Sequence, residues 1–525
     1  MQTFQSAISI LLIVVIYIPA ATFVVIYGLH AYAMVRLFAR RQRDKRSEQA
    51  SRIAWYAHER PADAWPIVTT QIPLYNEAAV ATRIIEAVAA LDYPPGRHEI
   101  QVLDDSTDET RDLVDAAVAD ARSRGIDAKV VRRPTREGYK AGALACGMTQ
   151  ARGEVIAIFD ADFVPPREFL TRLVPLLMDE PKNACVQSRW SHLNEDASWL
   201  TRAQAVGIDG HFVVEQSARS WNGLLMNFNG TAGIWRRAAI EDPNVGGWTA
   251  DTLTEDLDLS YRSQLAGWSV EYCVDVACPA ELPPDMPALK AQQFRWAKGS
   301  FQVARKLLPR IFRSRLAFRQ KAEAFLHLTG YGTSLAMFLL GVIGLPLATV
   351  TAFWAPFGWG MVIGLLMWAA LFGPPFLHAY SRWAIRSPYR FSTGFRLMLL
   401  GIGMCMHITR ACYEGLTTRG GEFVRTPKTG DKAASSAGVR RRYAAAGSRL
   451  WMVELAASLY CAGFFAYYVR SSASGVGAFT LIFALGFAVV GWMSSPWTAP
   501  KTVAPAVGTE RVHAAVANRG SLMHE

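Results

Sequence analysis

Two kinds of hydrophobic pattern divide this chain. Residues 7–35 hold no Asp, Glu, Lys or Arg, and residues 324–381 form a second stretch free of all four. Roughly 20 apolar residues cross the hydrocarbon of a bilayer, so the first stretch predicts one span and the second predicts two. Those two turn at the aromatic, proline-containing segment 352–358. Segments 451–469 and 475–495 predict two more, giving five spans with the N-terminus outside and the C-terminus inside. The first run has no positive residue ahead of it and exceeds the ~7 to 15 apolar residues of a secretory signal, which favours an uncleaved span. Arg36, Arg40, Arg41, Arg43, Lys45 and Arg46 follow at once, placing the next section in the cytoplasm.

Between residues 66 and 300 the pattern changes to short apolar runs alternating with helical periodicity. Strands are predicted at 66–74, 99–103, 128–132 and 154–159, with helices at 77–90, 106–124 and 140–150. Ser106 and Glu109 have the spacing of a capping box for the second helix. Such alternation implies an α/β domain with a largely parallel sheet covered by helices, and ligands bound outside the carboxyl ends of its strands. Residues 1–37 are then a membrane helix, 38–65 a basic linker, 66–300 the cytosolic domain and 301–323 a basic interfacial helix. Residues 324–381 supply two spans and 382–449 an interfacial helix with a loop; 450–496 supply two more spans, before a cytosolic tail at 497–525.

The segment 397–408 is apolar but short, and basic residues flank it on both sides. A span would push one cluster outside, whereas a helix lying in the cytoplasmic interface keeps both inside. Segment 297–323 mixes eight Lys and Arg with apolar residues at helical spacing, which suits a helix seated on the bilayer.

Composition agrees: 51% of residues are hydrophobic, high for a soluble enzyme. The net charge of +11 concentrates beside the apolar segments, so anionic lipid rather than nucleic acid is the expected partner. Seven cysteines are scattered without a Cys-x-x-Cys pair, which fits a reduced cytosolic domain and gives no zinc site.

Chemistry is suggested by acidic pairs at strand ends. Asp160-Ala161-Asp162 follows the strand at 154–159, and Asp104-Asp105 follows the strand at 99–103. A nucleotide diphosphate repels carboxylates unless a hard cation such as Mg2+ or Mn2+ bridges them, and such cations prefer oxygen ligands. The same aspartates also suit a helix N-cap or a turn. Lys140 opens a helix after Gly138, where a phosphate can meet both the ammonium and the helix dipole. Glu255-Asp256 begins another helix; a carboxylate there can take the proton from an attacking hydroxyl or simply favour the dipole. Downstream comes Gln292-Gln293-Phe294-Arg295-Trp296.

Taken in order, Pro73-Leu74-Tyr75-Asn76-Glu77, Asp104-Asp105, Lys140-Ala141-Gly142, Asp160-Ala161-Asp162, Thr254-Glu255-Asp256 and Gln292 to Trp296 resemble the motifs of family 2 inverting glycosyltransferases. The chain is most similar to the cellulose-synthase-like group, including the plant mannan and glucomannan synthases. The resemblance implies a GT-A (Rossmann-like) domain inserted between membrane helices, and a processive enzyme that polymerises and translocates a β-linked polysaccharide at the cell membrane. It implies nucleotide-sugar contacts at Pro73, Tyr75, Glu77, Asp104, Asp105, Lys140, Asp160 and Arg295, and metal ligation by Asp160 and Asp162. Asp256, with Glu255 beside it, would be the catalytic base, while Gln292, Arg295 and Trp296 would stand at the mouth of the acceptor channel. Phe423, Thr426 and Lys428 resemble a gating loop, with Arg425 interrupting the usual pattern. The donor stays open between UDP-glucose and GDP-mannose. A rival reading is a single-addition glycolipid synthase, such as a ceramide or diacylglycerol glucosyltransferase.

Overall fold

The computed structural model describes residues 11, 13–345, 357–421, 449–471 and 474–498. The first apolar run becomes α1 (Ile18–Glu59), a 42-residue helix that carries straight on into the basic segment. No Gly or Pro stands between residues 29 and 60, so nothing interrupts the backbone ladder. The linker expected at 38–65 is therefore mostly helix. Phe38, Met34 and Val35 of α1 are buried against the domain that follows.

That domain opens with β1 (Val68–Leu74), α2 (Ala81–Ala89), β2 (His98–Asp104), α3 (Thr110–Ser123), β3 (Asp127–Val131), α4 (Tyr139–Met148) and β4 (Val155–Ile158). It continues with α5 (Phe169–Asp179), β5 (Asn183–His192), α6 (Trp199–Asp209), α7 (Gln216–Trp221), β6 (Gly233–Arg236), α8 (Glu255–Leu265) and β7 (Ser269–Ala280). The sheet runs β3-β2-β1-β4-β6-β5-β7. All neighbours are parallel except β6, which is antiparallel to both β4 and β5. Consecutive residues of β4 serve opposite faces: Val155 and Ala157 pack with Phe169 of α5, whereas Ile156 and Ile158 pack with Leu144 of α4 and Trp235. Both faces are apolar, as a sheet covered on two sides requires. β2 and β4 flank β1 on opposite sides, so the chain connections diverge there and leave a crevice at the strands' carboxyl ends.

The capping box expected at Ser106 and Glu109 is not formed. Helix α3 starts at Thr110 with no side-chain cap, and the Ser106 hydroxyl instead accepts from the Asn76 backbone N–H at 2.9 Å. Asn76 is left-handed (φ 54°), and its side-chain oxygen accepts from Thr107 N–H at 2.8 Å. The loops after β1 and β2 are thereby tied together.

The expected interfacial helix at 301–323 is also recast. Helix α9 (Met286–Arg313) begins upstream, capped by the Asp285 carboxylate accepting from Ala288 N–H at 2.9 Å, and α10 (Phe318–Thr329) carries the remainder. Several of its cations are occupied within the protein. Arg305 donates to the carbonyls of Leu416 and Thr418 at 2.6 and 2.7 Å, and Lys306 pairs with Asp251 and Asp258 at 2.8 and 2.9 Å.

After α10 come α11 (Gly332–Leu339), α12 (Phe357–Ala384), α13 (Phe391–Gly403), α14 (Cys405–Thr417), α15 (Leu450–Arg470) and α16 (Ser474–Met493). The single interfacial helix expected at 397–408 is thus two, α13 and α14, meeting at 51° around Met404; α10 and the helix beginning at Gly332 meet at 65°. Among the described residues two helices are long and apolar enough to cross a membrane, 14–59 and Leu450–Arg470, or up to four if each bent pair is one span. The five expected spans are not recovered as a count. The turn expected at 352–358 lies largely outside the described residues, and the gating-like Phe423, Thr426 and Lys428 and the tail beyond residue 498 lie wholly outside them.

Two contacts weld the apolar helices to each other and to the domain. A Cβ on Gly28 would collide with the Ala370 carbonyl, and one on Gly373 with the Gly28 carbonyl, so α1 and α12 touch backbone to backbone through small residues. Lys290 of α9 pairs with Glu454 of α15 at 2.7 and 2.8 Å, with Glu454 wholly buried. Breaking such a pair strands a charge, whereas removing both members does not. Glu454→Leu should therefore lower stability in detergent by about 3 kcal/mol. Adding Lys290→Met should recover most of that loss, read as the thermal unfolding midpoint.

Candidate active site

A cavity opens at the carboxyl ends of β1 and β4, and it gathers residues that are far apart in the chain. Pro73, Tyr75 and Glu77 come from the end of β1 and its loop, Asp160 and Asp162 follow β4, and Lys140 stands in the first turn of α4. Glu255 and Asp256 open α8. Gln292, Arg295 and Trp296 lie three and four residues apart on α9, so one helical face presents all three.

Lys140 is the electrostatic centre. Its Nζ donates to Asp160 Oδ1 at 2.6 Å and to the Gly230 carbonyl at 2.9 Å, with Glu255 Oε1 at 3.9 Å. Burial works against its ammonium, but the Asp160 and Glu255 carboxylates more than offset this and push its pKa up. Asp256 behaves oppositely. Burial and the adjacent Glu255 carboxylate push its pKa up to about 7, with Lys140 pulling the other way; burial likewise raises Glu255. Asp256 Oδ1 is fixed by accepting from Leu257 N–H at 2.8 Å. Its Oδ2 faces Gly230, which is left-handed (φ 82°) and has no room for a side chain: a Cβ would sit 2.9 Å from that oxygen and 3.3 Å from Lys140 Nζ. Gly230→Ala should therefore cut turnover at least tenfold by displacing the carboxylate, with nucleotide affinity changed less, as steady-state kinetics and equilibrium binding will read.

Arg295 also faces the aspartates after β4. Burial lowers its pKa to about 10 while Asp160 and Asp162 support its charge. Asp162 is buried and Asp160 half-exposed. Among the described residues no cluster of three or more His, Cys, Asp or Glu could hold a metal unaided. Two carboxylates on a cavity wall nonetheless suit a divalent cation that takes its other oxygens from a substrate diphosphate, so the residues fit a cation shared with the ligand.

Asp104 and Asp105 part company. Asp105 lines the cavity, its carboxylate gripped by the Arg133 guanidinium through both oxygens. Asp104, expected beside it at the nucleotide, is turned into the domain: its side chain has no exposure, Arg132 Nε donates to it at 2.9 Å, and Ser106 N–H donates at 3.0 Å. Successive strand residues point to opposite faces, so only one of the pair can reach the cavity, and Asp104 holds the β2 and β3 ends together.

The sequence reading passed over several wall residues. Arg136 lies over the Tyr75 ring at 3.5 Å and near Tyr139 at 4.9 Å, a cation–π sandwich. Tyr139 itself is left-handed (φ 49°), directly after Gly138. Trp190 stacks on Phe212 with centroids 4.5 Å apart and stands 6.4 Å from Trp296, building an aromatic wall of the cavity. The local signal was the polar turn 132–138 ahead of Lys140 and the aromatic end of β5, neither of which spells a motif.

Among known proteins, the family described as "Glycosyltransferase like family 2" matches residues 66–299. Glucomannan 4-beta-mannosyltransferase 9 of Arabidopsis thaliana is 35% identical over 413 residues, covering 76% of this chain and 74% of its own length. The probable glucomannan 4-beta-mannosyltransferase 2 of Oryza sativa subsp. japonica is 34% identical over 453 residues, covering 81% and 75% respectively. Among solved structures, the mannosyltransferase PcManGT from Pyrobaculum calidifontis, in complex with GDP-Man and Mn2+, aligns with a TM-score of 0.47 and 20% identity, over 76% of this chain and 99% of that one.

Proposed function

Because the chain belongs to the family 2 glycosyltransferases, in the cellulose-synthase-like group of the glucomannan 4-beta-mannosyltransferases, we infer that it is a membrane-bound synthase of a β-linked mannan or glucomannan. GDP-mannose is the donor this reading favours, with UDP-glucose as the second sugar of a mixed polymer. The observation that carries it is the meeting, in one cavity, of the buried Asp256 carboxylate, its pKa raised by burial and by Glu255, with the Lys140–Asp160 pair and the aromatic side chains of Trp190 and Trp296.

In this reading Tyr75, with Arg136 over its ring, gives the nucleobase a flat face. Lys140 and Arg295 hold the diphosphate by charge and hydrogen bonds. Asp160 and Asp162 would hold a divalent cation, Mg2+ or Mn2+, which would supply positive charge to offset that of the leaving diphosphate. Trp296 and Trp190 stack on the apolar face of the acceptor sugar and bring its hydroxyl to Asp256. The Asp256 carboxylate takes the hydroxyl proton as the oxygen attacks the anomeric carbon from the side opposite the diphosphate. Such a single displacement inverts an α-linked donor to a β-linked product. The cavity faces the cytosol and the product leaves through the apolar helices of a multi-pass cell-membrane protein.

The test is incorporation of labelled sugar by protein purified in detergent, offered GDP-mannose and UDP-glucose separately and together with Mg2+ or Mn2+. High-mass product cut by a β-mannanase supports the reading; label confined to a small lipid moves the protein to the single-addition glycolipid enzymes.

A further inference from the structure

His192 ends β5 and lines the cavity together with Trp190, Ser191 and Leu282. Its Nε2 donates to Asp209 Oδ1 at 3.1 Å, and the ring makes no other hydrogen bond among the described residues. Nor is Nδ1 among the buried atoms left without a partner, although the side chain is only 5% exposed. Nδ1 is therefore not sealed off, and His192 belongs to the cavity lining.

The group behind it is built to hold one orientation. Asp209 is buried at the end of α6, and its second oxygen accepts from the Arg382 guanidinium, which in turn binds Glu195. Arg382 itself is buried in the last turn of α12 and donates to the Pro388 carbonyl at 3.2 Å. Burial works against the Asp209 carboxylate, but His192 and Arg382 together keep its pKa below the usual range, so it persists as an acceptor. A histidine that gives its Nε2–H to such a carboxylate presents Nδ1 as a lone-pair acceptor. The same arrangement fixes the ring against rotation.

We propose that His192 is an acceptor-positioning residue, whose Nδ1 accepts a hydrogen bond from a hydroxyl of the acceptor sugar stacked on the Trp190–Trp296 wall, with Asp209 and Arg382 holding the ring. The inference rests on the glycosyltransferase reading. Aromatic stacking fixes the plane of a sugar but leaves it free to slide and turn. One directional acceptor at the edge of the stack sets which hydroxyl points to Asp256. A site that pairs with a specific hydroxyl discriminates against a sugar lacking it, because the buried polar atom is then left unmatched.

The experiment measures elongation of a soluble β-linked tetrasaccharide primer, with donor saturating, in wild type, His192→Ala, His192→Asn and His192→Gln, alongside equilibrium binding of the nucleoside diphosphate. His192→Ala should raise the primer KM about tenfold, the loss of one hydrogen bond at about 1.4 kcal/mol, with nucleotide affinity within twofold of wild type. His192→Asn keeps a polar atom near the Nδ1 position and should recover most of the primer KM. His192→Gln keeps the bond to Asp209 but not the cavity-facing atom and should stay impaired. A primer KM unchanged in the alanine variant overturns the proposal. So does recovery by Gln rather than Asn, or a parallel loss of nucleotide binding and thermal stability in all three, which would make His192 a prop of the fold. If wild type itself transfers no sugar to the primer yet binds nucleotide, the glycosyltransferase reading fails, and the proposal with it.

Discussion

Asp256→Asn should lower the turnover of sugar transfer by roughly 10² to 10⁴, the range a positioned general base contributes, while the protein stays folded and still binds nucleotide. The amide keeps the shape and can still meet Leu257 N–H, but it cannot take a proton. With the wild-type pKa near 7, only the ionised form is competent, so kcat/KM should climb about tenfold per pH unit below 7 and level off above it. The sign of the effect on stability is opposite to that on activity. An unfolded Asp ionises near pH 3.9, whereas the folded group keeps its proton until about 7. Across that window and above it, Asp256 destabilises the native state. Asn removes the penalty, and the unfolding midpoint at pH 7.5 should be equal to or higher than wild type. An inactive variant that is also less stable would point to a structural rather than a catalytic carboxylate.

Lys140→Met is the second large effect. The ammonium is the nearest positive partner of Asp160 and also touches the Gly230 carbonyl, with Glu255 3.9 Å away. Its loss leaves Asp160, Glu255 and Asp256 crowded, with Arg295 the remaining cation facing Asp160. Removing one partner of a buried ion pair costs about 3–5 kcal/mol; since Asp160 is 36% exposed, solvent screening reduces this to about 2–3 kcal/mol. Nucleotide affinity should fall more than tenfold through the lost contact to the diphosphate. A double-mutant cycle separates the terms: Asp160→Asn added to Lys140→Met should restore stability while nucleotide affinity stays low. Equal stability of the single and double variants would show that the Lys140–Asp160 bond contributes little to the fold.

Sequence patterning made the first half of the sheet legible because β1 to β4 and their helices are local units, each with its own period. β6 was harder. It is four residues long, and only its pairing with β4 and β5, from opposite sides, makes it a strand. The cavity-lining motifs were readable because Lys140, Asp160, Glu255 and Asp256 each sit at the first turn of a helix or the end of a strand, positions that the fold turns toward the crevice. Asp104 was misplaced because a pair of identical residues gives no hint of which one the pleat will bury. Gly230, Arg136 and His192 were invisible for another reason: their roles come from what stands opposite them, Asp256, Tyr75 and Asp209, at long sequence separation. The membrane helices show the limit of hydropathy. Composition marks apolar stretches, but bends at Met404 and near Gly330–Tyr331 decide whether a stretch is one span or two short helices.

The central claim is a single displacement at the anomeric carbon, with Asp256 taking the proton from the acceptor hydroxyl. The most direct measurement is the anomeric configuration of the newly formed linkage, read by NMR from the one-bond carbon–proton coupling at C1 of product made from α-linked GDP-mannose labelled with 13C at C1. The account predicts a β-linkage throughout. An α-linkage would contradict it, since retention requires two displacements, or departure and return on one face, and leaves Asp256 without the role assigned to it.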